Sequence, residues 1–388
     1  MNCRANNVTG DELSILGFGC MRFPKDESKT EQLVLHAIDK GINYFDTAYI
    51  YPNSEATLGR ILAKHNMREK INIATKIPPS LIRKPNDFDK YLNQQLERLQ
   101  TDYIDYYLIH MVTDVTIWNR LVDLGAEEWI AQKKTEGKIR SIGFSYHGGK
   151  DEFLRICDAH PWEFCLLQYN YLDEDNQAGR GGLQHASSKG MPVMIMEPLR
   201  GGRLATDLPK GAIEAFQDAY IQRTPAQWSF RWLWDQPEVT CVLSGMNDMR
   251  MLEENIETAS TAQIGAFTNE DFKVIARAKQ ALIDAIKVPC TGCGYCMPCP
   301  QGVDIPTCLS SYNNIVIEGK RAAFGHYVMQ TALKSKPHLA SQCNRCGRCV
   351  PKCPQGIDIP VEMQNAKKAL EKFYFKPMLS VTRRFMKL

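Results

Sequence analysis

The chain has 388 residues, of which 44% are hydrophobic and 23% charged, and its formal net charge is +3. These are the proportions of an ordinary soluble protein, with room for one large α/β domain and a smaller one. No segment has the uninterrupted apolar length of a membrane span, and the polar N-terminus, MNCRANNVTGDELS, is not a secretory signal. The sequence therefore excludes a membrane-spanning protein and predicts a cytoplasmic one.

Cysteine content and charge both change near residue 287. Nine of the 14 cysteines follow residue 289, and residues 287–388 hold 15 Lys/Arg against 5 Asp/Glu. In a reducing compartment cysteines are rarely disulfide-bonded, so their spacing is interpreted as ligand spacing. We predict two domains: residues 1–286, and residues 287–388 with a basic C-terminal tail.

Short β-branched or aromatic runs alternate with amphipathic helical stretches through the first 286 residues. Eight such runs are present: SILGFGCM, NYFDTA, INIATKI, YIDYYLIHM, IRSIGFSYH, CLLQYNYL, PVMIMEPL and VTCVLSGM. Eight strands alternating with helices over a little under 300 residues predict a (β/α)8 TIM barrel. A doubly wound sheet is the competing fold, but no G-x-G-x-x-G pattern follows the first strand.

Four polar residues follow consecutive predicted strands, at the ends where TIM barrels place catalytic groups. Asp46 and Tyr51 follow the second strand, Lys76 the third and His110 the fourth. Taken singly, each residue has an ordinary structural explanation as a helix cap, packing at the rim, a solvated charge or a satisfied core histidine. Their occurrence together favours a catalytic site.

The sequence here resembles the aldo-keto reductase family, through NYFDTAYIY, IATK, DYYLIH, IGFS, LLQYN and TPAQWSFRW. The likeness covers about residues 12–260, and the four polar residues match the family's catalytic tetrad. It implies that a carbonyl and an alcohol are interconverted, with Tyr51 as general acid. Because a phenol of pKa ~10 is a reluctant acid, we expect Lys76 to lower the pKa of Tyr51. Asp46 would hold the ammonium, and His110 would orient the carbonyl oxygen.

The resemblance also implies a nicotinamide cofactor. The positions that it assigns to cofactor binding lie after the strands: Gly19, Cys20, Met21, Asp46, Ser145, Gln168, Pro198, Leu199, Gly201, Arg203 and Arg250. Ser145 and Gln168 match the residues that grip the nicotinamide amide. Tyr146 replaces the family's usual asparagine, however, and Met196 replaces the aromatic residue on which the ring typically stacks.

The phosphate-binding positions leave the identity of the cofactor open. The PLRGG turn at 198–202 offers free backbone N–H groups, and with Arg203 it would suit a pyrophosphate, although a plain surface loop explains it equally well. Arg250 could reach an adenosine phosphate. The Lys-Ser pair that commonly reads the 2′-phosphate of NADP is missing after the eighth strand. NAD and NADP both remain possible, as does a flavin.

A helix is predicted over residues 268–286, after the barrel. Thr268 and Asp271 form a capping pattern at its start, and four apolar residues share one face: Phe272, Ile275, Leu282 and Ile286.

Two similar cysteine-rich blocks follow this helix: CTGCGYCMPCPQGVDIP at 290–306 and CNRCGRCVPKCPQGIDIP at 343–360. The second has the C-x2-C-x2-C-x3-C-P spacing of bacterial ferredoxins, in which the fourth cysteine binds the other [4Fe–4S] cluster. We therefore assign one cluster to Cys290, Cys293, Cys296 and Cys353, and the other to Cys343, Cys346, Cys349 and Cys299. The last gap of the first block is one residue short, so Cys308 is an alternative to Cys299.

Zinc also uses paired cysteines, but it fits two consecutive four-cysteine runs poorly. This region resembles a two-cluster ferredoxin with a helical insert.

A nicotinamide delivers two electrons as hydride, whereas a [4Fe–4S] cluster passes one at a time. The clusters could therefore be structural, could supply a flavin or a one-electron substrate, or could serve an external carrier. An acidic carrier, ferredoxin or flavodoxin, would suit the basic segment. No motif indicates nucleic acid.

The main hypothesis is an oxidoreductase acting on a small carbonyl or alcohol substrate. The alternatives are a cluster-fed flavin or one-electron reductase, and an electron carrier or interaction protein on a non-catalytic barrel.

Overall fold

The fold was taken from a computed structural model of the chain, which describes residues 1–206, 208–317, 319–332, 336–375 and 377–379. Most of the predicted basic tail, residues 380–388, lies outside this range. No helix among the described residues has the length and apolar character needed to cross a membrane.

Eight parallel strands close into a barrel, which confirms the predicted fold. Each overlaps one of the eight predicted runs: β3 (Leu16–Gly19), β4 (Tyr44–Asp46), β5 (Asn72–Ile77), β6 (Ile104–Val112), β7 (Ile139–Tyr146), β8 (Phe164–Gln168), β9 (Val193–Met196) and β10 (Val239–Ser244). Strands pair in chain order, and β10 pairs with both β9 and β3, so the sheet has no free edge. The preceding hairpin of β1 (Cys3–Ala5) and β2 (Glu12–Ser14) was not predicted.

Large side chains fill the barrel interior. Tyr44, Tyr106 and Phe164 are fully buried there, and the Tyr106 ring meets the other two edge-on at centroid distances of 5.2 and 5.0 Å. Burying aromatic rings of this size provides much of the apolar stabilisation of a core. The barrel is therefore a packed core rather than a channel, and its chemistry is confined to the ends.

Helices follow the strands as the apolar periodicity predicts. Their bounds are α1 (Glu27–Asp39), α2 (Ser54–His65), α3 (Asn86–Leu99), α4 (Val115–Val122), α5 (Ala126–Thr135), α6 (Lys150–Ala159), α7 (Gly179–Ser188), α8 (Arg203–Thr206), α9 (Lys210–Gln217), α10 (Pro225–Trp234), α11 (Met249–Ser260), α12 (Asn269–Ala285), α13 (Ile305–Ile317), α14 (Lys320–Tyr327) and α15 (Ile359–Leu370). The predicted capping box of α12 is present, with Thr268 and Asp271 each accepting a backbone N–H of the other.

The chain packs as two compact units that do not follow the sequence boundary at 286/287. The first comprises Met1–Pro198 and Ala226–Phe267, and the second comprises Leu199–Pro225 and Thr268–Leu388. Helix α12 therefore packs in the second unit, against α9 from the segment that interrupts the barrel sequence. The two domains that we predict from the sequence are separated by one boundary, at 286/287. The sequence does not predict that residues 199–225 pack with the second unit, because their composition is that of an ordinary barrel loop.

The second unit has its own apolar core. Val303 and Ile357, which occupy equivalent positions in the two cysteine blocks, are both buried in it, together with Tyr327 and Phe375. Helices α13 and α15 begin after the two blocks in the same way: Asp304 accepts the N–H of Thr307, and Asp358 accepts that of Val361. The sequence duplication is thus also a duplication of structure.

Candidate active site and iron–sulfur centres

The four predicted catalytic residues lie at or just beyond the C-terminal ends of adjacent barrel strands. Asp46 is the last residue of β4, Lys76 the penultimate residue of β5, and His110 lies near the end of β6. Tyr51 lies between β4 and α2. Parallel pairing of β4 with β5 and of β5 with β6 brings the four side chains into one region.

A buried ion pair lies at the centre of this group. Lys76 Nζ donates to Asp46 Oδ1 at 2.6 Å and to the carbonyl of Thr47 at 2.7 Å. Lys76 is 1% exposed and Asp46 5%. Burial raises the pKa of the Asp46 carboxyl, and the ammonium of Lys76 opposes that rise. The second carboxylate oxygen, Oδ2, is buried without a hydrogen-bond partner. Such an atom is uncommon in a native core and suits a site that receives a ligand.

Tyr51 is the most accessible of the four residues, and the other three surround it. Its ring centroid lies 5.2 Å from Lys76 Nζ and 5.9 Å from the ring centroid of His110, which stands nearly perpendicular at 83°. Burial lowers the pKa of His110 well below its ordinary value, so the imidazole is neutral. Its Nδ1 is buried without a partner, as is Oδ2 of Asp46.

The pKa of Tyr51 shifts in the opposite direction to the one that we expect from Lys76. Burial raises the pKa of the Tyr51 phenol, and the negative charges of Asp46 and Glu197 raise it further. The ammonium of Lys76 is paired with Asp46 at 2.6 Å, so part of its charge is offset there. The phenol is therefore held in its protonated form.

The two residues predicted to grip a nicotinamide amide are buried at the ends of their strands. The Ser145 hydroxyl accepts the backbone N–H of Met111 at 2.8 Å. The Gln168 amide donates to Asp173 at 3.0 Å and accepts from Gln177. Ser145 keeps its own O–H for a ligand, whereas both ends of the Gln168 amide are engaged within the protein.

The remaining barrel positions assigned to cofactor binding are dispersed. Gly19 packs closely on β10, since a Cβ there would lie 3.3 Å from the carbonyl oxygen of Ser244. Cys20 is buried and donates to Phe18, whereas Met21 is exposed. Arg250 lies exposed in the first turn of α11. The structure places them in four different environments.

Tyr146 and Met196 stand where the family's asparagine and aromatic residue are expected. The Tyr146 hydroxyl donates to the Gly149 carbonyl at 2.6 Å, so its polar group is occupied within its own loop. Met196 ends β9 and packs at the edge of the barrel core. Neither residue offers the group that the family uses at its position.

The predicted pyrophosphate turn has different partners from those expected. Pro198 is buried, Leu199 half-buried and Gly201 exposed with φ 73°. Arg203, the predicted phosphate ligand, instead donates from Nη1 to the carbonyl of Cys290 at 2.7 Å. Its guanidinium is thus committed to the first cysteine block, within the second compact unit.

Glu197 is a site residue that the sequence did not indicate. It follows β9 directly, in a left-handed conformation with φ 53°, and its charge helps to raise the pKa of Tyr51. Met111, which follows His110, has φ 55°. Non-glycine residues seldom adopt this conformation, and they cluster at functional sites. Neither side-chain type predicts such a backbone, so no sequence signal could have revealed it.

The eight predicted cluster cysteines line two cavities, four in each. The first cluster cavity is lined by Cys290, Cys293, Cys296 and Cys353. The second cluster cavity is lined by Cys343, Cys346, Cys349 and Cys299. These are the two sets assigned from the spacing, with the fourth cysteine exchanged between blocks. Among the described residues, no three His, Cys, Asp or Glu side chains come together as ligands of one metal ion would. A cubane instead takes one thiolate at each of its four irons, so it needs four thiolates around one cavity.

Equivalent residues of the two blocks also separate the cavities. Ile305 and Ile359 each line both of them. Cys308, the alternative ligand, lines neither cavity; it is fully buried in the core and its thiol donates to the His338 carbonyl at 3.6 Å. The arrangement therefore favours Cys299 over Cys308.

Comparisons with known proteins agree with both halves of this description. Residues 15–279 match the model of the aldo/keto reductase family, and residues 289–357 match that of the 4Fe-4S dicluster domain. Protein tas of Escherichia coli is 27% identical in an alignment of 310 residues that covers 64% of this chain and 90% of that protein. A Schizosaccharomyces pombe protein, aldo-keto reductase yakc, has NADP(+) in its name; it is 24% identical, over 66% of this chain and 86% of that protein.

A solved structure shows the same fold. The holo form of an aldo-keto reductase from Bacillus halodurans matches with a TM-score of 0.61 and 24% identity, covering 72% of this chain and 96% of that one.

Proposed function

The chain belongs to the aldo/keto reductase family and is an oxidoreductase with a 4Fe-4S dicluster domain, and from this we propose that it interconverts a small carbonyl compound and its alcohol, with Tyr51 as general acid. A nicotinamide would be the cofactor, as the name of the Schizosaccharomyces pombe relative suggests. The observation that supports this most is the arrangement of Tyr51 and His110 around the buried Lys76–Asp46 pair.

The nicotinamide, when bound, supplies the hydride. Tyr51 supplies the proton, which passes from its phenol to the carbonyl oxygen as negative charge develops there. Neutral His110 donates a hydrogen bond to the same oxygen, and its unpartnered Nδ1 shows that the imidazole has hydrogen-bonding capacity to spare. Ser145 would hold the carboxamide through its remaining O–H.

The raised pKa of Tyr51 keeps the phenol in the protonated form that reduction needs, and it also makes the phenol a weaker acid. A phenol kept protonated is ready to donate to a carbonyl oxygen, but it cannot accept a proton from an alcohol until it has lost its own. We therefore expect carbonyl reduction to be the faster direction at neutral pH.

Replacing Tyr51 with phenylalanine tests the acid. We expect Tyr51→Phe to lower kcat/KM for nicotinamide-dependent carbonyl reduction by about 10²–10⁴-fold, the usual contribution of a positioned acid. Tyr49→Phe is the matched control, because its hydroxyl lies in the same loop but bonds Gln94 at 2.8 Å. Equal activity of Tyr51→Phe and the control would reject the proposal and favour a non-catalytic barrel.

We propose that the two cysteine sets hold [4Fe–4S] clusters that transfer single electrons. The second cluster cavity is the more exposed: Cys346 is exposed, as are Arg345, Arg348 and Lys352 beside it in the sequence. The corresponding stretch of the first block, 290–297, contains no charged residue. An acidic one-electron carrier, a ferredoxin or a flavodoxin, would therefore dock at the second cluster.

Salt dependence tests this docking. Electron transfer from an acidic ferredoxin should slow as ionic strength rises, and the triple replacement Arg345→Gln, Arg348→Gln, Lys352→Gln should abolish that dependence. Reduction by dithionite, which needs no docking, should be unchanged in the triple variant. A salt-independent wild-type rate would reject the carrier.

The residues at the expected nicotinamide positions support a second candidate function, a flavin- or one-electron-dependent reductase that receives its electrons from the clusters. Both ends of the Gln168 amide are already bonded, and Met196 replaces the aromatic residue on which a nicotinamide stacks in the family. An anaerobic preparation analysed for iron, labile sulfide, bound flavin and nicotinamide affinity separates the two. Bound flavin without nicotinamide affinity would establish the second candidate.

A further inference from the structure

Two arginines of the segment that interrupts the barrel sequence contact the first cysteine block. Arg200 Nη2 donates to the carbonyl of Pro289 at 2.8 Å, and Arg203 Nη1 donates to that of Cys290 at 2.7 Å. Arg203 Nη2 also lies against Gly292, at 3.4 Å from where a Cβ would be. These residues all belong to the second compact unit. The two guanidinium groups thus donate hydrogen bonds to the carbonyls of Pro289 and Cys290, and Cys290 is the first predicted ligand in the first cluster cavity.

The environment of this contact is enclosed. Arg200 is 4% exposed, and Arg203 is half-buried. A cation that is shielded from water acts on nearby charge more strongly than one at the surface, where counterions and solvent screen it. The arginines beside the second cluster cavity, Arg345 and Arg348, are exposed. The two cavities therefore differ in how strongly positive charge acts on them.

A third group reinforces the difference. Thr291 lines the first cluster cavity, is 4% exposed, and its hydroxyl has no hydrogen-bond partner in the protein. A hydroxyl facing thiolates and sulfides can donate to sulfur. In the second block its counterpart is Asn344, which is exposed and accepts the N–H of Cys346 at 3.2 Å. Among the described residues, the first cavity is lined by a buried side-chain hydroxyl without a protein partner and the second is not.

We propose that Arg200, Arg203 and Thr291 are positioning residues of the first cluster, and that they raise its reduction potential above that of the second cluster. This rests on the two-cluster function proposed above. Reduction adds a negative charge to a cluster, so nearby cations and donated hydrogen bonds stabilise the reduced form. Enclosure from water opposes this effect, but two cations bonded at the ligand's own peptide outweigh it.

The consequence is a direction for electrons. An external one-electron carrier would give one electron to a cluster held by the exposed second set of cysteines, and the carrier would be oxidised. The electron would then pass to a cluster held by the first set, so that the second is reoxidised as the first is reduced, with no proton moved. The equivalent residues Ile305 and Ile359 line both cavities, so the two cavities are neighbours.

A redox titration followed by electron paramagnetic resonance tests the proposal on the full chain, loaded anaerobically with iron and sulfide. The wild type should show two one-electron steps. Arg203→Gln should lower the higher midpoint by about tenfold in equilibrium constant, which is about 59 mV for a one-electron couple, and should leave the lower midpoint in place. Arg203→Lys, which keeps the charge, should restore most of the shift. Arg348→Gln, the matched control, removes an exposed charge and should leave the higher midpoint in place.

Thr291→Val keeps the test decisive if Arg203→Gln does not retain its iron. The Thr291 hydroxyl has no protein partner, so its removal breaks no internal hydrogen bond, and it too should lower the higher midpoint. A fully loaded variant with both midpoints unchanged, or with only the lower one moved, would overturn the inference. A wild type that binds no iron would instead overturn the proposed cluster function.

Discussion

Lys76 and Asp46 form an ion pair at 2.6 Å with both side chains buried, at the ends of neighbouring strands of the barrel. Burying a charge costs free energy unless a partner compensates it, so a pair at this depth is a weak source of stability by itself. Each charge nevertheless makes the other tolerable. The pair also offsets part of the charge of the ammonium that would otherwise lower the pKa of Tyr51.

Removing one partner should therefore be costly. Lys76→Met leaves the Asp46 carboxylate buried and unpaired, and we expect the free energy of unfolding to fall by about 3–5 kcal/mol. Arg60→Met breaks the exposed pair with Glu27, at 2.8 Å, and should leave the free energy of unfolding nearly unchanged, because solvent screens that pair. Urea unfolding of both variants measures the difference, and similar losses would show that the buried pair has no special role.

The pH profile of reduction depends on the state of Tyr51. Because burial raises the pKa of the phenol, the acid keeps its proton above the ordinary phenol value of ~10. We expect the reduction rate to stay constant as the pH rises to that value. Stopped-flow measurement of hydride transfer from pH 7 to about pH 10 checks this. A rate that falls with an apparent pKa near neutrality would restore the effect of Lys76 that the sequence suggested.

The sequence predicted the barrel because its strands and helices carry strong periodic patterns. Each of the eight runs holds at least three apolar or aromatic residues, and the capping box at Thr268 marks the start of α12. The hairpin of β1 and β2 was missed because its strands, CRA and ELS, hold two and one apolar residues and so give no strand pattern. The segment 199–225 packs with the second unit, for example through the hydrogen bond of Arg203. This packing was missed because the sequence of the segment resembles that of a surface loop.

The candidate site was predicted in part, for a similar reason. Spacing at strand ends identified Lys76 and Asp46, because parallel strands necessarily align their ends. The pKa of Tyr51 depends on the burial of the phenol and on the charge of Glu197, and a sequence motif indicates neither of these. Repeat spacing identified the cluster cysteines, but the exclusion of Cys308 depends on its place in the core.

His147 should make the barrel sensitive to acid. It is buried, with Nδ1 3.2 Å from the Gln177 side-chain oxygen, and burial lowers its pKa to about 4. The unfolded chain binds a proton at about pH 6.5, whereas the folded chain does not until about pH 4, so stability falls between these values. We expect a loss of about 2 kcal/mol from pH 7.5 to pH 5.

Replacement of that histidine checks its contribution. His147→Gln should remove most of this loss in urea unfolding at the two pH values, and His36→Gln, in the outer helix α1, should not. An unchanged pH slope in His147→Gln would assign the acid sensitivity to other groups, such as His110.

Gly59 sets the close approach of α2 to α3. A Cβ on it would lie 2.4 Å from the Arg98 carbonyl oxygen and 2.6 Å from the carbonyl carbon of Leu99, which are backbone atoms that cannot turn aside. Gly59→Ala should therefore destabilise the barrel by about 1–3 kcal/mol, despite the better helix propensity of alanine. Gly325→Ala, inside α14 with open space around the new Cβ and no positive φ, should be neutral or slightly stabilising. Thermal unfolding of the two variants would contradict this packing if both behaved alike.

The fourth ligand of the second cluster can be decided by two serine variants. Cys299 lines the second cluster cavity, so Cys299→Ser should lower iron and labile sulfide to about half, since one of two clusters is lost. Cys308 lies in the apolar core, with its thiol bonded to the His338 carbonyl. Cys308→Ser should keep both clusters, because a serine hydroxyl can make the same bond. Iron analysis of anaerobic preparations, with circular dichroism to compare their folding, distinguishes the two. Loss of iron in Cys308→Ser and not in Cys299→Ser would make Cys308 the fourth ligand. The shortened gap in the first block would then be explained, because Cys299 would not bind a cluster.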